Sequence, residues 1–343
     1  MDAPLLSVRG LVQEFVVRDY GGVKGGVVNA VSGVSFNVWP GETLGIVGET
    51  GSGKSTLARS VLQAPRPKEG TVTFRGTDLV TLRGRSLLQA RRHLQMVFQD
   101  PFGSLDPKWK VRDLVAEPLI AYRVGDRAAR RHRVDQVLEL VGLDPAAHGG
   151  RRPRELSGGQ AQRVAIARAL AIEPAMIICD EPVSSLDVLI QAQVLNLFEQ
   201  LRAELGLSYL FIAHDLALVK QVSDRVAVMY LGKLCEVGPG EEVYQQPLHP
   251  YTRALLDSVP GTGTVGAAKS IQGEPPSPVH PPSGCRFRTR CPRAGQRCAD
   301  EEPVMRELPT GHTAGHSVAC HFPLVPAADS PARSEEKIGE TPR

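Results

Sequence analysis

The chain has 343 residues, of which 42% are hydrophobic and 22% charged, the composition of a soluble globular protein of about two domains. A net charge of +3 is too small to demand a nucleic-acid partner, and no run nears the ~20 apolar residues of a membrane span. The first six residues lack the basic start and apolar stretch of a secretory signal, so a cytosolic protein is expected, and its six cysteines point to metal or reduced thiols rather than disulfides.

In chain order, residues 5–47 read as β-structure: residues 6–12 have strand composition and residues 31–38 alternate with period two. A glycine-rich loop at 21–26 separates them. Residues 43–47 are a short apolar run expected to form a buried strand. It leads into Gly48-Glu49-Thr50-Gly51-Ser52-Gly53-Lys54-Ser55-Thr56, which fits the phosphate-binding loop G-x-x-x-x-G-K-[ST] at every fixed position. Glycines let the backbone wrap a phosphate so that its N–H groups form an anion nest, and the helix that follows adds its positive end. Lys54 is expected on the β- and γ-phosphates and Ser55 on Mg²⁺. An aromatic from the first β-segment would stack on an adenine; Phe15 and Tyr20 are the candidates.

Further strands are expected at 70–74 and 94–98, the second ending at Gln99, which can bind Mg²⁺ or its water and sense the γ-phosphate. The basic run at 82–93 reads as a solvated helix face. Residues 111–143 carry apolar positions at three- and four-residue spacing and read as helical. Leu156-Ser157-Gly158-Gly159-Gln160 then opens another helix: Ser157 is a good N-cap, and Gly158 and Gly159 expose backbone N–H groups, a second anion site. Residues 175–181 form an apolar strand closing on Asp180, suited to Mg²⁺, and Glu181, suited to polarising an attacking water. Ser184-Ser185-Leu186-Asp187 opens a helix to about residue 205. The next strand, 209–213, closes on His214, a candidate γ-phosphate contact, and one more follows at 225–230. Strands alternating with helices predict a parallel sheet with ligands at its carboxyl edge.

These motifs, in this order and spacing, resemble the nucleotide-binding subunits of ABC transporters over about residues 5–245. The resemblance implies an α/β P-loop NTPase fold: a RecA-like parallel sheet, an N-terminal antiparallel β-subdomain and a helical subdomain at about 100–165. It implies ATP and Mg²⁺, with ATP sandwiched between the Lys54 loop of one subunit and Ser157, Gly158, Gly159 and Gln160 of another. Glu181 is then the general base, His214 holds the γ-phosphate and attacking water, Asp187 communicates across the dimer, and Phe15 takes the adenine-stacking place. Departures are small: Thr50 where Ser is commoner, Ala161 where a basic residue is common, Ser185 where Ala is common.

A narrower resemblance, to the ATPases of oligopeptide/dipeptide importers, rests on Phe98-Gln99-Asp100-Pro101-Phe102-Gly103-Ser104-Leu105-Asp106-Pro107, on residues 247–256, and on Gly273-Glu274-Pro275-Pro276-Ser277-Pro278. The second, F-type ATPase of the pair fits somewhat better than the first. The resemblance implies a second ATPase subunit (a heterodimer), two transmembrane permease subunits docked near residues 100–123, an extracytoplasmic solute-binding protein, a place on the cytoplasmic face of the membrane, and no nucleic acid. Nickel, glutathione and other solute importers share these features. Non-transport ABC ATPases of DNA repair or translation are the other alternative; the absence of heptads between the P-loop and residue 156, and the single P-loop, argue against them.

After residues 257–272, Cys285, Cys291, Cys298 and Cys320 follow in the pattern C-x5-C-x6-C-x21-C. Four thiolates close a zinc site or hold a [4Fe–4S] cluster, and unligated thiols are the third possibility; the resemblance implies the cluster. Arg286, Arg288, Arg290 and Arg293 are expected around the thiolates, offsetting their charge. His312, His316 and His321 are not expected to be ligands. A C-terminal module is thus drawn over 246–325, with a disordered tail at 326–343.

Overall fold

Two kinds of strand pattern run through the sequence, and they build two sheets. The computed structural model describes residues 3–17, 26–258, 273–308 and 315–324. Its strands are β1 (Leu6–Val17), β2 (Gly26–Val38), β3 (Thr43–Val47), β4 (Glu69–Phe74), β5 (Thr77–Asp78), β6 (Leu94–Val97), β7 (Met176–Asp180), β8 (Ser208–Ala213), β9 (Arg225–Tyr230), β10 (Lys233–Pro239), β11 (Arg306–Glu307) and β12 (Ser317–Val318). The alternating segments pair antiparallel in the order β2-β1-β4-β5. They bury Leu6, Val8, Phe36 and Val38 and leave the intervening residues wetter. The uninterrupted apolar runs occupy the second sheet, ordered β11-β12-β10-β9-β3-β8-β7-β6, in which β9, β3, β8, β7 and β6 run parallel. Every residue of β3, β7 and β8 is buried, which is why their sequences lack polar alternation.

Parallel neighbours need long crossovers, and helices supply them. The helix Lys54–Val61 follows β3 directly. The continuous periodicity over 111–143 resolves into two helices, Val111–Ala121 and Arg127–Leu140. Arg123 and Gly125 break the run with φ of 55° and 64°, and the Asp126 side chain caps the second helix by accepting from Ala129 N–H. Periodicity alone cannot show such a break, because both halves turn their apolar residues, Leu114 and Val137 among them, to one core. Among the described residues no helix is long and apolar enough to cross a membrane.

The C-terminal residues are stitched into this frame. β12 pairs with β10 at Glu236↔Val318 and Val237↔Ser317, and β11 pairs with β12, so the core sheet extends into the C-terminal part of the chain. The buried Glu236 carboxylate accepts from Leu248 N–H (2.7 Å) and His249 N–H (2.8 Å), and His316 Nε2 lies 2.8 Å from its Oε1. A buried carboxylate is tolerated only with such partners, and here one group ties three segments together.

His249 itself accepts from Tyr251 N–H through Nδ1, capping the helix Pro250–Asp257. Burial outweighs Glu236 and pushes the imidazole down to about 4 from its ordinary 6.5. As pH falls, the unfolded chain therefore takes this proton first. The contribution is intact above the unfolded pKa and is lost on descent through the folded one, about 3 kcal/mol in all. The wild-type melting temperature is expected to drop more steeply between these two pH values than that of His249→Asn, which keeps an acceptor and cannot titrate; parallel curves would remove His249 from this role.

Candidate active site

β3 ends at the centre of the parallel sheet, and the chain must turn at once into a helix. Gly48 and Gly53 make the turn possible. Their φ angles are 158° and 103°, and a Cβ on either would sit 2.0 Å from a carbonyl oxygen, that of Met229 or of Ala30. Lys54 opens the helix, only 4% exposed. Its Nζ donates to Gly48 O (2.7 Å) and Glu49 O (3.0 Å), the loop's own carbonyls. Burial lowers its pKa, against the opposing charges of Glu181, Asp180 and Glu49. A desolvated ammonium at the rim of an amide-lined loop gains most from a polyanion.

One residue on, Ser55 Oγ donates to Asp180 Oδ1 at 2.7 Å. Burial raises the Asp180 carboxyl above its usual range, with the Ser55 hydrogen bond working the other way. A hydroxyl and a carboxylate meeting beside the loop are the oxygen donors that Mg²⁺ takes. Gln99 extends the group from the neighbouring β6: its Nε2 donates to Glu181 Oε2 at 3.0 Å.

Glu181 is adjacent to Asp180 but turned away from it. Its φ is 47°, in the left-handed region, and its N–H donates to Ile212 O at 2.9 Å. That conformation costs a non-glycine residue about 1–3 kcal/mol. It turns the carboxylate toward Gln99 and toward His214 Nδ1, 3.4 Å away. Sequence adjacency thus yields two carboxylates with different partners, one on the Ser55 hydroxyl and one beside an imidazole.

Lys54, Ser55, Gln99, Glu181 and His214 line a single cleft of about 850 Å³ at the carboxyl edge of the parallel strands, and Asp180 adjoins it through its hydrogen bond with Ser55. Phe15 stands on its wall, 40% exposed, with Val28 nearby; Tyr20 lies outside the described residues. Asn29 and Pro278, which the sequence does not place at a nucleotide, line the cleft as well. Asn29 N–H donates to Pro278 O at 3.2 Å, so the Pro-rich segment after residue 273 reaches the cleft. No helix forms over Pro275 to Pro282, as expected from the prolines.

The second anion site does not join this cleft. Ser157 and Gln160 form a reciprocal capping box at the start of the helix Gly158–Leu170, Gln160 N–H on Ser157 Oγ and Ser157 N–H on Gln160 Oε1. The tip packs on the chain after β7: a Cβ on Gly159 would lie 2.6 Å from Ile190 Cγ2, and one on Gly158 3.2 Å from Leu186. Asp187 caps the helix Val188–Leu205 through Ile190 N–H. Ser157 and Asp187 are both exposed.

The cysteine segment carries four free thiols. Burial raises Cys285, Cys291 and Cys320, the last to about 12, and at Cys320 the other three thiols push the same way, so the four are gathered. Among the described residues, no group of three or more His, Cys, Asp or Glu is arranged to hold a metal ion. Two of the arginines expected around the thiols are engaged elsewhere. Arg286 donates to Leu231 O and Ser32 Oγ, and Arg290 pairs with Glu49. Arg293 does act on Cys291, opposing the burial that raises its thiol. His316 sits between Glu236 and Glu242, and His312 is outside the described residues.

A P-loop at the carboxyl edge of a parallel sheet, with the Ser55–Asp180 hydrogen bond and Glu181 beside it, defines a nucleoside-triphosphate hydrolase. The family description ABC transporter matches residues 31–184, and that of the oligopeptide/dipeptide transporter C-terminal region matches residues 235–298. Oligopeptide transport ATP-binding protein AppF of Bacillus subtilis is 48% identical over 93% of this chain and 97% of its own. OppF of Salmonella typhimurium, described in the same words, is 50% identical over 85% and 87%. Among solved structures, cbiO1 of Clostridium perfringens, part of the ABC transporter complex cbiONQ, superposes with a TM-score of 0.61 at 28% identity, covering 71% of this chain and 92% of that one. The ABC cassette MJ0796, dimeric with ADP and Pi, gives 0.60 at 28% identity over 68% and 98%. The chain belongs to the oligopeptide/dipeptide transporter family of ABC ATP-binding subunits.

Proposed function

We propose that this chain is an ATP-hydrolysing subunit of an importer for peptides, working at the cytoplasmic face of the membrane with a second ATPase subunit and two permease subunits. One observation carries the dimeric part: Lys54, Ser55 and Glu181 share a cleft, while Ser157 and Asp187 are exposed and do not line it. A helix tip with anion-binding geometry and nothing anionic to bind in its own chain fits a partner's γ-phosphate. ATP binds with its phosphates in the loop at 48–54 and its base against Phe15. Ser55, Gln99 and Asp180 would hold Mg²⁺, which would supply neutralisation of the phosphate charge. Glu181 accepts the proton of the attacking water, and His214 keeps the Glu181 carboxylate and the γ-phosphate in register. Asp187 lies where it would report closure to the other subunit.

The exposed apolar side chains Phe98, Phe102, Trp109 and Ile120, beside a groove of about 390 Å³ lined by Met96, Phe98 and Tyr122, support permease docking on the helical part. The reading divides the chain into an ATPase domain at 1–245, with its helical subdomain at 100–165, and a module at 246–325. In that module the four gathered thiols favour a [4Fe–4S] cluster held by Cys285, Cys291, Cys298 and Cys320. Such a cluster would staple a loop-rich segment. Anaerobically purified protein is expected to be brown with broad visible absorption; a colourless, zinc-containing preparation overturns the cluster.

The dimeric reading is tested by mixing the full chain with the ATPase encoded beside it and a slowly hydrolysed ATP analogue. Nucleotide-dependent association is expected in sedimentation, abolished by Ser157→Arg. Association that ignores nucleotide, or none at all, refutes it.

A further inference from the structure

The cysteine segment touches the phosphate-binding loop itself. Arg290, one residue before Cys291, reaches back across the fold to Glu49, the second residue of the loop. Its guanidinium donates to Glu49 Oε2 at 2.9 Å and Oε1 at 3.2 Å, and to Tyr230 Oη at 3.3 Å. The Arg290 side chain is 7% exposed and that of Glu49 23%, so the pair is shielded from water. Tight turns set Arg290 in place: Arg288 N–H donates to Cys285 O and Arg290 N–H to Phe287 O. Phe287 is buried among the rings of Tyr230, Tyr251 and His249.

The same contact is doubled on the backbone. Tyr251 Oη accepts from Glu49 N–H at 2.9 Å, and Tyr251 packs on Tyr230 and Phe287 with ring centres 4.7 and 5.2 Å apart. Glu49 O in turn accepts from Lys54 Nζ. Glu49 is thus gripped by the C-terminal module at its side chain and its N–H, and by the phosphate-binding lysine at its carbonyl.

We propose that Arg290 is a positioning residue for nucleotide binding: it neutralises the Glu49 carboxylate and holds the phosphate-binding loop in shape, so that the C-terminal module sets the affinity of the ATP site. The electrostatics require a partner for Glu49. Its charge reaches the Lys54 ammonium, and an uncompensated carboxylate at that distance repels the incoming triphosphate. Arginine suits the task because its Nη1 reaches both carboxylate oxygens and the Tyr230 hydroxyl at once, and the group stays charged when buried.

This inference rests on reading the cleft as an ATP site, and the experiment separates the two. Fluorescent MANT-ATP with Mg²⁺ is titrated into the full-length chain. If wild type fails to bind, the ATP reading fails. If it binds, Arg290→Ala is expected to raise Kd about tenfold, with Arg290→Lys recovering part of the loss. Glu49→Gln shifts Kd in the opposite direction, toward tighter binding, since it deletes a negative charge beside the loop while its amide oxygen still accepts from Arg290 and keeps the loop in shape. The double variant Arg290→Ala/Glu49→Gln binds more tightly than Arg290→Ala alone. A purely structural arginine would lower the melting temperature and leave this sign pattern absent. Wild-type affinity in Arg290→Ala overturns the proposal. So does Glu49→Gln binding no tighter than wild type, a reading available even if Arg290→Ala does not fold.

Discussion

Glu181→Gln is expected to halt ATP turnover and leave nucleotide binding intact. The substitution is nearly isosteric. An amide oxygen can still accept from Gln99 Nε2, which now reaches Glu181 at 3.0 Å, so the wall of the cleft keeps its shape. What is lost is the basic oxygen next to His214. General-base assistance is worth about 10²–10⁴-fold, and phosphate release from the chain assembled with its proposed partner subunits should fall by that much. MANT-ATP binding should stay within a factor of about three, because no phosphate-binding group is touched. Undiminished phosphate release would assign the base to another residue. A loss of binding equal to the loss of turnover would mean that the left-handed backbone at Glu181, rather than its carboxylate, shapes the cleft.

What could be read from sequence alone follows from how far apart the contributing residues lie. The loop at 48–56 and the Asp180-Glu181 strand end were legible because each is a short run whose chemistry and local conformation coincide. β3 and β7 were legible because burial on both faces leaves an unbroken apolar run. The pairing of Glu181 with Gln99 and His214 was implied only once three strand ends were placed on one edge of a sheet. The left-handed turn at Glu181 carried no signal, since glutamate has no preference for it. Pro278 and Arg290 could not be found at all: each reaches the loop from more than two hundred residues downstream, and each looks ordinary in its own segment. Arg290 seemed a counter-charge for its neighbouring cysteines because proximity in sequence was the only proximity on offer. β12 is two residues long, too short for any periodicity, and its place is fixed by β10 and by the His316–Glu236 contact.

Lys54→Ala is expected to remove nucleotide binding, and Lys54→Arg is expected not to restore it. The ammonium sits at the mouth of the loop, already directed at the loop carbonyls, with Nζ 2.7 Å from Gly48 O. Each charge-assisted hydrogen bond lost to phosphate costs about 1.5–3 kcal/mol, so two amount to at least a hundredfold in Kd. Truncation also leaves the Asp180 and Glu181 charges, both felt at Lys54, without that counter-charge, and they then repel the triphosphate. Arginine keeps the charge but not the shape. Lys54 is 4% exposed, and the loop closes around it through Gly48 and Gly53, where even a methyl group would strike a carbonyl. A planar fork is wider than an ammonium and cannot enter that space without opening the turn. MANT-ATP titration of the three chains is the measurement. Restoration of binding by arginine would show that net charge near the loop suffices, and the argument from a shaped cradle would have to be given up.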